Sequence, residues 1–338
     1  MVKKLSINEH EEEFDFTEGK LEEISAPALS ADDLTLIVDM RRRGATVQMI
    51  ADILGYTAKH MQGLLSKIDE WEKSKPFKDL NLDEYQINEV ELEVPKNKET
   101  GAIVAIGDVH YDGNEKHYNA EKFKGFLEYS ARSNSKLILM GDLIDCNLRN
   151  SPGAGIFSQS KSPAQQTSYM VNLLYPYRKN IIGLHFSNHE MRVHKETSFN
   201  PVEMMARALE VPVLGYTAYT KVHANKQVYW LYTFHGSANG STLAGKFNAL
   251  RKATSFIRAP IDIFAMGHTH SLGLECDTVQ NLSDDGKNIE ERKVYYVLTG
   301  HYMHYRGSYA EMKSMAPGRI GSPKFIFYKD KHHVHVAV

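Results

Sequence analysis

Cysteine is scarce in this chain, long apolar runs are missing, and net charge is almost absent. Each absence removes a class of protein. Two cysteines among 338 residues, Cys146 and Cys276, are too few for a disulfide framework. No apolar stretch approaches the roughly 20 residues that span a bilayer, so no membrane contact is expected. Residues 1–10 lack the apolar core of a secretion signal, and a reducing cytoplasm is the expected location. A formal charge of −2 excludes a global attraction to nucleic acid, so any such contact must rest on a local patch. No internal repeat is visible. What remains is ordinary for a globular chain, 42% apolar and 24% charged, and long enough for one large domain and a small one.

Composition divides the chain. Residues 1–28 are acidic, with Glu11, Glu12, Glu13 and Asp15, and poor in large apolar side chains, which predicts a flexible tail. Residues 29–72 carry three short helical patterns. The first starts near Ser30 with the stripe Leu34, Ile37, Val38 and Met40, and ends at Arg41-Arg42-Arg43-Gly44. Thr46 can cap a second, which Gly55 breaks; Thr57 can cap a third, with Met61, Leu64, Leu65 and Ile68 on one face. This arrangement resembles a helix-turn-helix, whose last helix would offer Lys59, His60, Gln62 and Lys67 to a groove. Between 31 and 68 there are five basic and four acidic residues, which is weakly basic for a DNA reader and leaves a protein-docking role open. Residues 73–85, with Pro76 among Lys, Asp and Glu, read as a linker. An edge strand over 87–94 then opens a second domain, 86–338, in which strands and helices alternate as in a layered α/β fold.

That domain is organised around Leu137-Ile138-Leu139-Met140-Gly141-Asp142, a buried strand that stops at a glycine and delivers a carboxylate, with Asp145 three residues on. The same grammar recurs four more times. Runs ending at Ile106, Phe186, Phe234 and Met266 lead into Gly107-Asp108-Val109-His110, Ser187-Asn188-His189-Glu190, His235-Gly236 and Gly267-His268-Thr269-His270. Strand ends in α/β sheets are where ligands bind. Carboxylate, amide and imidazole are together the donor set of a divalent metal. One such ending is a turn; five imply a shared site. The polar segment 146–168 follows the second ending and reads as a long loop hung on that site.

Asp-x-His, Gly-Asp-x-x-Asp, Asn-His-Glu, His-Gly and Gly-His-x-His, in this order over roughly 95–275, resemble the calcineurin-like metallophosphoesterase family. The resemblance implies an α/β fold, a two-sheet sandwich flanked by helices, here preceded by a small all-α module. It implies that Asp108, His110 and His270 bind one metal, Asn188, His235 and His268 a second, and that Asp142 bridges them. His189 would protonate the leaving group, oriented by Asp145, after a metal-bridging hydroxide attacks phosphorus. Mixed oxygen and nitrogen ligands suit two ions of manganese, iron, nickel or zinc, manganese being the first expectation.

Three departures from the family pattern stand out, the third being His301, an added imidazole after the strand 294–298. Ser187 replaces the usual glycine, and Cys146 stands where the protein Ser/Thr phosphatase branch has a phosphate-gripping arginine, which argues against a dedicated protein phosphatase. Arg192, Arg149 and Lys246 are candidate substrate contacts, although the helix carrying Lys246, Arg251 and Lys252 reads equally as a solvated basic face. His301 and the terminal His332, His333 and His335 receive no role; His301 is expected at the surface. The leading expectation is a nuclease acting on DNA, since the family has a DNA-repair nuclease branch. The alternative is a phosphatase or nucleotide phosphodiesterase with the helices as a docking element, and a homo-oligomer is compatible with either.

Overall fold

The structure, a computed structural model, describes residues 37, 40, 41, 45–74, 87–149, 151, 159–237, 240, 242–283, 285–306, 311 and 317–338, the side chains of 67–74 excepted. The expected tail at 1–28 and the expected linker beyond Ser74 lie outside these residues. The chain divides into two units, Met1–Lys78 and Asp79–Val338.

In the first unit the capping signals act where the sequence puts them. Thr46 Oγ1 accepts from the Met49 N–H at 3.3 Å and opens α1 (Val47–Leu54). Gly55 closes it at φ 73, its N–H on the Ala51 carbonyl, because a residue without Cβ takes the left-handed conformation at little cost. Thr57 Oγ1 accepts from the His60 N–H at 3.2 Å and opens α2 (Ala58–Ser74). Ile37, Ile50, Ala51, Met61, Leu64 and Leu65 form a small buried core. Lys59, His60 and Gln62 are exposed, and the side chain of Lys67 lies outside the described residues.

The second unit is α/β, with two six-stranded mixed sheets. Its strands are β1 (Ile87–Glu91), β2 (Thr100–Ile106), β3 (Lys136–Leu139), β4 (Ile181–His185), β5 (Val213–Gly215), β6 (Thr217–Ala224), β7 (Gln227–Phe234), β8 (Ile263–Met266), β9 (Leu272–Leu282), β10 (Ile289–Thr299), β11 (Lys324–Tyr328) and β12 (Val334–Ala337). One sheet runs β1-β6-β7-β8-β10-β9, the other β12-β11-β2-β3-β4-β5. The two lie face to face over a common core: Ile103, Ala105, Ile138 and Met140 from one meet Val222, Leu231, Ile263 and Val297 from the other. Helices α3 (Ala120–Ser133), α4 (Pro163–Leu174), α5 (Asn188–Thr197), α6 (Pro201–Leu209) and α7 (Leu243–Thr254) complete the unit. Phe247 and Leu250 of α7 pack on Tyr232, Phe264 and Met266, so that face of the first sheet is covered as well. Among the described residues no helix is long and apolar enough to cross a membrane.

Two expectations change. The loop after the second motif does not run to 168, because α4 starts at Pro163. Ser162 and Gln165 form a reciprocal capping box around Pro163, a start signal that the polar composition of the segment hides. His301 is not a surface residue; it is 6% exposed.

Topology positions the site. β2, β3, β4 and β5 are mutually parallel, as are β7, β8 and β10, so several strands finish at one edge of each sheet. The loops leaving those ends carry all five motifs.

Candidate metal centre

The first two motifs are zipped together by their backbones. The Asp108 N–H donates to the Gly141 carbonyl at 3.0 Å, and the Val109 and His110 N–H groups both donate to the Asp142 carbonyl, at 2.8 and 3.0 Å. Gly141 sits at φ 91, and a Cβ there would lie 2.5 Å from Ser187 Cβ; only glycine lets the second and third motifs approach this closely. Asp108, His110, Asp142, His268 and His270 also have positive φ, between 49 and 63. Left-handed backbone costs a non-glycine residue about 1 kcal/mol or more. Five such residues converging on one point mark a site that the surrounding hydrogen bonds hold in place.

Two pockets of donor atoms result. In the first, His110 Nε2 and His270 Nε2 lie 3.0 Å apart, with Asp108 Oδ1 at 3.9 Å from one and 3.3 Å from the other. In the second, Asn188 Oδ1 is 3.0 Å from both His235 Nε2 and His268 Nδ1, and Asp142 Oδ2 is 3.1 Å from His235 Nε2. Asp142 Oδ2 is also 3.7 Å from His110 Nε2, so this carboxylate stands between the two pockets. Asp108, His110, Asp142 and His235 are buried, Asn188 is exposed, and the site therefore opens past the amide.

These groups fit a cation. Asp108 Oδ1 is buried without a hydrogen-bond partner, a costly state for a carboxylate oxygen unless a positive charge completes it. Asp108–His110–His270 and Asp142–His235–His268 each converge closely enough to hold an ion, as does His110–Asp142–His189. Outer partners aim the rings. His235 Nδ1 donates to the Met140 carbonyl at 2.9 Å, and His110 Nδ1 faces Asp145 Oδ1 at 3.3 Å, which turns each Nε2 lone pair to the centre.

Electrostatics divides the histidines. Burial pushes His268 and His270 down to about 4, the neutral form that a ligand needs, whereas at His235 Asp142 outweighs burial and pushes the ring up to about 10, a proton that a bound cation would have to displace. Burial also acts against charge on His189, but Asp142 and Asp145 outweigh it and push His189 up to about 9. Its Nδ1 lies 2.8 Å from the Asp145 carbonyl and 3.1 Å from Asp145 Oδ1, leaving Nε2 directed to the pocket, 3.9 Å from Asp142 Oδ2. Burial works against the charge of Asp145 too, and hydrogen bonds from His110 and His189 hold it well below the usual carboxylate range.

The substrate candidates separate. Arg192 donates to Asn147 Oδ1 at 3.1 Å, and Asn147 in turn donates to Asp145, so Arg192 stands at the site behind an amide. Lys246 Nζ donates to the Thr269 carbonyl at 2.8 Å and to Ser271 Oγ at 2.7 Å; its ammonium fixes the loop of His268 and His270. Arg149 is exposed.

Three residues contribute more than the sequence reading gave them. Ser187 Oγ accepts from the Asp142 N–H at 2.8 Å and donates to Glu190, so the serine ties the second motif to the third where glycine could not. Glu190, fully buried, receives the N–H groups of Asp142, Leu143 and Ile144. Asn147 links Asp145 to Arg192. Ser187 and Glu190, like Asp145 and Asn147, are close in sequence, but the bonds that reach Asp142 and Arg192 span 45 to 48 residues, where no local pattern marks them. No protein-family model matches the chain, and no curated protein matches it either.

Proposed function

We propose that this protein is a calcineurin-like, dinuclear-metal phosphoesterase, and foremost a phosphodiesterase that cleaves nucleic acid. The observation that carries the reading is the meeting of seven oxygen and nitrogen donors from five strand ends, Asp142 standing between the other six, with His189 poised beside them. Asp108, His110 and His270 would hold one cation, Asn188, His235 and His268 the other, and Asp142 would neutralise the repulsion between them. Two divalent cations, manganese first among manganese, iron, nickel and zinc, would supply positive charge to phosphoryl oxygens and activate the attacking water.

The chain's own residues supply the rest. His189 holds a proton at Nε2, the nitrogen not engaged by Asp145, and can pass it to a leaving alkoxide. Asp145 fixes the ring and favours its charged form. Arg192, held by Asn147 Oδ1, would be the cation that meets the phosphate. The helices of the first unit, with Lys59, His60 and Gln62 exposed, would bring the chain to nucleic acid, DNA in the first instance.

The test is manganese-loaded full-length protein assayed on single-stranded DNA, double-stranded DNA, RNA, a simple phosphodiester and a panel of phosphomonoesters. DNA cleavage that disappears in Asp108→Asn is the expected result. Intact DNA with cleavage of the simple diester would remove the nuclease reading. The second reading, a small-molecule phosphodiesterase or phosphatase with the helices as a docking handle, is favoured by the near balance of charge over 31–68 and would then stand.

A further inference from the structure

Asp145 and Arg192 are a carboxylate and a guanidinium at one edge of the site, yet they make no ion pair with each other. Asn147 stands between them. Its Nδ2 donates to Asp145 Oδ2, and its Oδ1 accepts from Arg192 Nη1 at 3.1 Å. The residue is buried. An amide can fill this place without charge, because one of its atoms gives a donor to the carboxylate and the other an acceptor to the guanidinium. The two partners also settle which way round the amide lies.

Asn147 is itself clamped. Gln159 Oε1 accepts from the Asn147 N–H at 3.0 Å, and Gln159 Nε2 donates to the Asn147 carbonyl at 2.8 Å. Gln159 Oε1 also accepts from Gln166 Nε2 at 2.9 Å, and the fully buried Gln166 accepts the Cys146 N–H at 3.0 Å. A two-sided hold on the main chain of one residue fixes where its side chain starts. With Oδ2 on Asn147, Asp145 keeps Oδ1 between two imidazoles, 3.1 Å from His189 Nδ1 and 3.3 Å from His110 Nδ1. The guanidinium of Arg192 makes no other hydrogen bond among the described residues, so its remaining N–H donors are left for an anion.

We propose that Asn147 is a positioning residue that keeps Arg192 off Asp145, so that the carboxylate stays with His189 and His110 while the guanidinium stays with the phosphoryl group of the substrate. This rests on the phosphoesterase reading above. Opposite charges separated by a single side chain in a partly buried place attract strongly, and with nothing between them would close into a forked pair. That pair would take the orienting partner from His189 and the cation from the phosphate in one movement.

The experiment is a double-mutant cycle in the full chain at saturating zinc, with metal content measured first. Wild type, Asn147→Leu, Arg192→Gln and the double variant are titrated with inorganic phosphate by calorimetry. Asn147→Ala is run beside Asn147→Leu, with urea midpoints for each, so that a poorly folded variant does not decide the outcome. Phosphate affinity should weaken about tenfold in each single variant and no further in the double, because one contact is lost in all three. Turnover of manganese-loaded protein is the second readout. On an alkyl diester kcat should fall about 10- to 100-fold in Asn147→Leu and recover about tenfold in the double variant, where no guanidinium can take Asp145. A p-nitrophenyl diester, whose leaving group needs no proton, should show a smaller fall. A merely structural asparagine gives additive losses and no recovery. Additive losses of phosphate affinity, or a double variant no faster than Asn147→Leu, would therefore overturn the proposal. A metal-loaded wild type that cleaves neither diester removes the phosphoesterase reading together with this proposal. A wild type that cleaves both while the cycle is additive removes this proposal alone.

Discussion

Glu190 Oε1 accepts from the backbone N–H of Leu143 at 2.8 Å, and the same oxygen takes the Ile144 N–H at 3.3 Å. Oε2 accepts from the Asp142 N–H at 3.2 Å. One buried carboxylate from the third motif therefore satisfies three successive donors of the second, and fixes the turn from which Asp142 projects.

Replacing Glu190 by Gln puts an N–H₂ group against one set of these donors. The expected cost is about 2 kcal/mol of stability, from a buried amide left facing a donor. Metal affinity should fall about 10- to 100-fold, as for other residues that orient ligands from behind. Denaturant midpoints and equilibrium dialysis with manganese check both; metal affinity equal to wild type would show that the turn holds its shape without Glu190.

His189 tests the proton-transfer assignment separately from metal binding. His189→Gln should lower kcat on DNA or an alkyl diester by about 10²–10⁴-fold. A p-nitrophenyl diester, whose leaving group needs no proton, should lose less than about tenfold in the same variant. Metal content should not change, since Asp108, His110, Asp142, Asn188, His235, His268 and His270 remain. Equal losses on both substrates would remove His189 as the acid.

Much of this site was legible because a strand end is a local signal. An apolar run, a glycine and a ligand-type side chain are adjacent in sequence, so Asp108, Asp142, Asn188, His235 and His268 could be read one strand at a time. The two-sheet sandwich rested on the resemblance to a known family, and the packing of Ile103 and Ile138 against Leu231 and Ile263 agrees with it. Partners across the fold were not legible. Nothing near Glu190 in sequence says that it will receive the Leu143 N–H, 47 residues away. His301 also follows a strand, but a lone histidine there is more often at the surface, and its burial comes from His270 and Gly318, which no local pattern marks. The start of α4 was missed for the opposite reason: Ser162, Pro163 and Gln165 look like loop composition until their spacing is read as a capping box.

Lys246 separates a substrate contact from a structural one. Its Nζ bonds to Thr269 and Ser271 tie α7 to the loop that carries His268 and His270. Lys246→Met keeps the stem and removes the donors. Manganese affinity should weaken about tenfold through the loosened loop, with KM for the substrate changing little at saturating metal. The reverse pattern, a raised KM with normal metal affinity, would return Lys246 to the phosphate.

His185 predicts an acid-sensitive joint between the sheets. Its ring sits in the core, with Nδ1 donating to the Gly215 carbonyl at 3.1 Å and Nε2 accepting from Thr233 Oγ1 at 2.8 Å. Burial lowers it from 6.5 to about 4. Above pH 6.5 neither the folded nor the unfolded ring binds a proton. As the pH falls below 6.5 the unfolded ring takes one up and the buried ring does not, until about pH 4. Stability therefore falls with falling pH across that window, by up to about 1.4 kcal/mol per unit. Between pH 7.5 and pH 5.0 wild type should lose roughly 2 kcal/mol more than His185→Gln, which has no proton to gain. Urea midpoints in chelator measure this, and the metal-site histidines titrate in both proteins and cancel in the difference. Equal losses in the two proteins would mean that the ring accepts a proton in place, with Thr233 turning its hydroxyl to receive it.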